Sequence, residues 1–235
     1  MDRNAQRELL QYVQDKLSSS DNKSDLNVDH LLLQLRKIRE ALLANRSHDE
    51  FTLKVYRLSL DLALRSENHG ELTKTLHFLT HDMDQPEPEF ISMYMLYHSL
   101  VAFVRRSSPH AVFSFFTGLS LNLRKDPEVH WSLCACKALA FHFDYIRFGK
   151  MIQRLNADVG KLVSLFESDL QARAFAVMRR SYFHLTVTDL QQMLKRCIHT
   201  DVEVAKEDIQ EWMEDSGVPR THWINDKIYF KKPPG

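Results

Sequence analysis

Glycine and proline are scarce in this chain of 235 residues, at six and seven. Sandwiches and barrels need both at their many tight turns, so the scarcity argues against them and for helices. Three unevenly spaced cysteines make no disulfide framework, which fits a reducing compartment. No apolar run approaches the roughly 18 residues of a membrane span, so no membrane is expected among its partners. The charged, amphipathic opening "MDRNAQRELLQYVQ" is not the pattern of a secretory leader. Neither sign of charge is in excess, with 31 Lys and Arg against 31 Asp and Glu, so the surface as a whole does not attract nucleic acid. There is no H-E-x-x-H, no phosphate-binding glycine loop and no nucleophile elbow. The expectation is a protein that is not an enzyme, with no catalytic residues and no cofactor.

What the chain does have is helical rhythm. Residues 2–17 carry Leu9, Leu10, Val13 and Leu17 on one side, and "SSSDNKSDLN" then breaks the pattern. A second helix begins at Val28. Ser47 and Glu50 are spaced as a capping box for a third, reaching about Ser66. Its two stripes, Phe51-Val55-Leu58-Leu62 and Leu53-Tyr56-Leu60-Leu64, predict a helix packed between neighbours. A fourth helix follows Gly70. Pro86, Pro88, Pro109, Pro127 and Asp144 then punctuate further helices of about 12 to 16 residues, the rhythm of a helical-hairpin stack of the solenoid kind. In "CACKALAFHFDYIRFGKM", Cys134 and Cys136 lie about 200° apart on a helix and cannot grip one ion, so no metal is expected. The stretch reads as a corner, with Asp144 as N-cap. Asp169 and Arg173 are spaced as an i,i+4 pair on a longer element that begins after Asn156.

Texture changes after Tyr182. "FHLTV" is a short strand, "TDLQ" (Thr188–Gln191) a capping box, and "TDVE" (Thr200–Glu203) a second one. Ala205, Ile209, Trp212 and Met213 point inward on the helix that Gly217 ends. "THWI" and "KIYFK" around Asn225 and Asp226 make a hairpin. Strand, helix, helix, hairpin is the order of a winged helix. The fold class is therefore all-α, a helical-hairpin stack followed by a C-terminal winged helix. Its segments are 1–27 (helix and polar linker), 28–182 (stack) and 183–235 (winged helix).

This combination resembles the PCI superfamily, shared by the proteasome lid, the signalosome and a translation initiation factor. Within it, "LRKIREALLANRSHDEFTLKVYRLSLDLAL", "ALAFHFDYIRFGKMI" and "LFESDLQARAFAVMRRSY" resemble the germinal-centre-associated nuclear protein family. That resemblance implies a nuclear scaffold for mRNA export that pairs with a second PCI-domain protein, whose family carries a small acidic split-hand/foot-type protein. The alternatives are a lid-type subunit of the proteasome or signalosome, which would place it in the cytoplasm as well, or a relative with a centrosomal or splicing-coupled role.

Charge selects the surfaces. From Arg173 onward ten Lys and Arg stand against nine Asp and Glu, a net of +1 that is weak for an autonomous nucleic-acid binder. The second helix of the module, "EDIQEWMEDSG", would repel phosphate. Its Glu207, Gln210, Glu211 and Glu214, with Tyr229 on the hairpin, are the candidate partner contacts. Contact with single-stranded RNA is assigned to Arg179, Arg180, Lys227, Lys231 and Lys232. The hairpin edge from Lys227 to Lys231 is expected to be free for pairing.

Overall fold

The computed structural model describes residues 1–19, 27–141, 143–198, 206–215, 217–219, 222–224 and 226–231, excepting the side chains of 195–198, 206–208, 212 and 215. The described residues form thirteen α-helices and one small sheet. They fall into two compact units, Met1–Phe90 and Ile91–Gly235.

The first unit holds α1 (Arg3–Ser19), α2 (Val28–Ala44), α3 (Glu50–Arg65) and α4 (His69–His77). A π-helical turn, Phe78–Asp82, prolongs α4. Each helix packs on the next. Val13, Leu35, Ile38, Val55, Leu62, Leu72 and Leu76 are its core. As the two stripes require, α3 buries Val55 and Leu62 together with Tyr56 and Leu60. The Ser47–Glu50 capping box does not form. Asp49 is the N-cap, its carboxylate accepting from the Thr52 N–H at 2.9 Å. A carboxylate also suits the positive end of the helix better than a hydroxyl does. The fourth helix likewise begins earlier, because Asn68 accepts from the Glu71 N–H.

One chain-ending device explains how so few glycines suffice. At the ends of α2 and α3, the amides of Ser47 and Asn68 reach back to the carbonyls of Leu42 and Ala63. The amides of Arg46 and Glu67 bond to those of Leu43 and Leu64. This double bond pattern, the Schellman motif, places the residue between in the left-handed region, usually glycine. Here it is Arg46 (φ 49°) and Glu67 (φ 54°).

Buried among these helices is an ion pair. Arg39 of α2 donates to the Glu71 carboxylate of α4, and its other terminal nitrogen donates to Thr75 Oγ1 at 2.8 Å. Lys74 Nζ donates to the same carboxylate at 3.2 Å. Burial alone would raise the Glu71 carboxyl, but the hydrogen bond and charge of Arg39, aided by Lys74, hold it below its ordinary value.

The second unit runs through most of α5 (Pro88–Val104), then α6 (His110–Gly118), α7 (Leu121–Lys125), α8 (Pro127–Ala140), α9 (Tyr145–Ile152), α10 (Ala157–Ser164) and α11 (Glu167–Ser181). The long element expected after Asn156 is thus two helices, broken around Leu165 and Phe166. Helix α8 packs against α9 across the corner at Phe143 and Asp144. Asp144 caps α9 by accepting from the Arg147 N–H at 2.9 Å. Phe143 takes a positive φ of 39° there and is held by burial against Phe103 and Tyr145. The stretch is a corner, as its spacing predicts.

The C-terminal module is β1 (His184–Thr186), α12 (Val187–Ile198), α13 (Lys206–Asp215), β2 (Trp223–Ile224) and β3 (Lys227–Tyr229). Its cap is two residues earlier than "TDLQ" suggests. Thr186 Oγ1 accepts from the Asp189 N–H at 3.0 Å and donates to the Asp189 carboxylate. The sequence "TDVE" and Ala205 lie outside the described residues, as does the Trp212 side chain. Ile209 and Met213 of α13 are buried, and Gly217 (φ 68°) ends the helix with the same double bond pattern. Helix α12 packs against both α9 and α11. Phe230 adds a ring contact to Phe175 of α11.

The sheet order is β1-β3-β2, all antiparallel. The hairpin therefore offers no free edge at Lys227–Tyr229, contrary to expectation. Strand β3 is central because β1, distant in sequence, pairs along its other side.

Candidate functional site

Strand alternation sorts the module's side chains onto two faces. Leu185 and Ile228 point inward and are buried. His184 and Thr186 stand opposite Tyr229 and Lys227, and Ile224 is also opposite Lys227, so these five share the outer face. Aromatic rings dominate one end of it. His184 lies 5.3 Å from Tyr229, and Phe183 meets the Tyr229 ring edge-on at 6.0 Å. Tyr182, Phe183 and His184 are exposed.

The sequence-assigned basic residues divide between the two ends of this face. Arg179, half-buried, and Arg180, exposed, close α11. The Phe230 N–H donates to the Phe183 carbonyl at 2.9 Å, which brings the chain at Lys231 to that same end. Lys227 pairs opposite Thr186, four residues and roughly 13 Å away at strand spacing. Lys231 and Lys227 are exposed, and Lys232 lies outside the described residues. Sequence reasoning missed the aromatic group at the Lys231 end. The consecutive "YFH" at 182–184 was its only signal, and that run reads equally well as strand.

On α13, Gln210, Glu211 and Glu214 are exposed, and the Glu207 side chain is outside the described set. Tyr229, grouped with them as a partner contact, is half-buried on the central strand, and its carbonyl accepts from His222 Nδ1 at 3.1 Å.

The two cysteines of α8 diverge. Cys136 is buried, and burial pushes its thiol up to about 12. Cys134 is half-exposed, with Sγ 3.7 Å from His130 Nε2. Among the described residues no three His, Cys, Asp or Glu side chains converge as a metal set. Arg173 does not pair with Asp169 either. Its guanidinium stands over the Phe103 ring, 5.6 Å from the centroid.

The chain has no match among protein-family models and no significant match among curated proteins.

Proposed function

We propose that the chain is a non-enzymatic scaffold subunit of the PCI type, acting in a nuclear mRNA-export complex. The observation that carries this reading is the C-terminal module. We read its strand–helix–helix–hairpin order and β1-β3-β2 sheet as a winged helix, which α12 packs against α9 and α11. On that reading the module caps a helical stack, whose last layer cannot cover itself. Resemblance to the germinal-centre-associated nuclear protein family supplies the export assignment, the second PCI-domain partner and that partner's small acidic companion.

Within this reading, α13 presents Gln210, Glu211 and Glu214 to the partner, since an acidic helix suits a basic protein surface better than a phosphate backbone. Because β3 is central, edge pairing would have to use the two-residue β2 or the outer side of β1, which leaves side chains to carry the contact. Single-stranded RNA fits the end of the sheet where Phe183, His184 and Tyr229 adjoin Arg179, Arg180 and Lys231: rings for bases, cations for phosphates.

Affinity capture of the full chain from nuclear extract, read by mass spectrometry, tests this. A PCI partner with mRNA-export components is the expected set, and Glu211→Lys with Glu214→Lys should release it. Recovery of proteasome or signalosome subunits instead would replace the export reading with the lid-type one.

A further inference from the structure

Beyond that surface, the second unit contains a cavity of about 330 Å³ whose chemistry the scaffold reading does not use. Its walls include Ser99 and Phe103 of α5, Arg106 and Ser107 just past that helix, Leu139 of α8 and Arg173 of α11. No carboxylate lines it. Among the described residues neither Arg106 nor Arg173 has a carboxylate partner, although Asp169 is one turn from Arg173.

Three further features make this a prepared site. The backbone at Arg106, an exposed residue, is fixed by the helix-ending pattern already seen three times. Its amide bonds to the Phe103 carbonyl, and that of Ser107 bonds to Ala102. Arg173 is steadied by the Phe103 ring beneath it. Ser99 is only 2% exposed, and its hydroxyl faces the Cys136 thiol, a weak hydrogen-bond partner, with no nitrogen or oxygen partner among the described residues. A buried hydroxyl is ordinarily satisfied, in a helix by the carbonyl one turn back. In a cavity wall, a hydroxyl with only that weak partner can turn to a ligand atom.

We propose that this cavity binds a phosphate monoester. Two un-neutralised guanidiniums match a dianion, whereas a carboxylate would neutralise only one. Guanidinium forks present paired donors to phosphate oxygens, and the Ser99 and Ser107 hydroxyls add donors for the rest. Phe103 and Leu139 supply apolar surface for the carbon side of the ester, in a volume typical of small-ligand sites. The site shares no residue with the partner and RNA surfaces. The ester could be a phosphorylated protein side chain or a free small molecule; the recognition chemistry is the same.

Isothermal titration of the full chain with phenyl phosphate tests the site, with inorganic phosphate and benzoate as comparisons. Phenyl phosphate should bind saturably, more tightly than either comparison, and more weakly at pH 5 than at pH 7.5, because the second proton leaves the phosphate near pH 6. Arg106→Gln and Arg173→Gln should each weaken it roughly ten-fold, the loss expected for a charge-assisted contact. Ala140→Phe, which narrows the cavity without removing charge, should weaken it too and guards against an effect of net charge alone. A phosphoserine peptide that binds more tightly than phenyl phosphate would identify the source as a modified protein; the reverse order would identify a small ester. Absence of saturable binding in the millimolar range, or affinity that both arginine variants leave unchanged, overturns the proposal.

Discussion

Replacing Glu71 by leucine should cost the first unit about 3 kcal/mol, the lower end of what breaking a buried ion pair costs. The side chains of Arg39 and Glu71 are only 6% and 12% exposed. Glu71→Leu therefore strands a guanidinium that keeps Thr75 as a partner and whose Nε is already buried without one. The 60%-exposed Lys74 adds little, since water screens it, which is why the lower end is chosen. At this chain length such a loss lowers the melting temperature by roughly 6–12 °C. Removing both charges, in Arg39→Met/Glu71→Leu, should restore stability to within about 1 kcal/mol of the parent, because the desolvation cost disappears with the attraction. Urea unfolding followed by far-UV circular dichroism reads both. The pH dependence has a definite sign. The folded Glu71 carboxyl lies below its unfolded value of about 4.3, so its contribution is present above that pH and fades as pH falls through the folded value. The gap between parent and Glu71→Leu should be flat from pH 6 to 8 and narrow in acid. A single variant losing under about 1 kcal/mol, or a double variant no more stable than Glu71→Leu, would refute the argument.

Other outcomes follow from the same geometry. Arg46→Gly and Glu67→Gly should each raise stability by up to about 1 kcal/mol in thermal unfolding, since glycine relieves the positive φ those residues adopt. Thr186→Ala should destabilise the C-terminal module by about 1 kcal/mol, through loss of the cap on α12, and hydrogen exchange at the start of that helix should speed up. In the native protein at pH 8, peptide mapping after iodoacetamide treatment should find Cys134 alkylated and Cys136 protected until denaturant is added. On the proposed RNA-binding reading, Phe183→Ala should weaken single-stranded RNA binding by about 1–3 kcal/mol while leaving its salt dependence unchanged, whereas Arg180→Gln should reduce the salt slope.

Local chemistry made much of the fold legible. Periodicity of 3.6 placed the helices of the first unit, and the double stripe of α3 correctly required neighbours on two sides. Asp144 could be read as a cap because its role depends only on the next turn. The module's element order was equally visible, since each strand and helix is written in residues a few positions apart. Cap identity was less secure: of Ser47 and Asp49, or Thr186 and Thr188, the cap is the one whose side-chain oxygen accepts from a first-turn amide.

Tertiary structure alone decided the rest, because the deciding partners are far apart in sequence. Nothing in "KIYFK" tells that its strand is central; that depends on β1, some forty residues earlier, pairing along its other side. Arg39 and Glu71 look like surface charges on two amphipathic helices until the packing of those helices closes over them. Asp169 and Arg173 have the spacing of an ion pair, yet the Phe103 ring, seventy residues upstream, holds the guanidinium over a cavity instead. Spacing along a chain fixes which side chains can meet within an element. Which of them do meet is set by competition with groups that only the folded chain brings near.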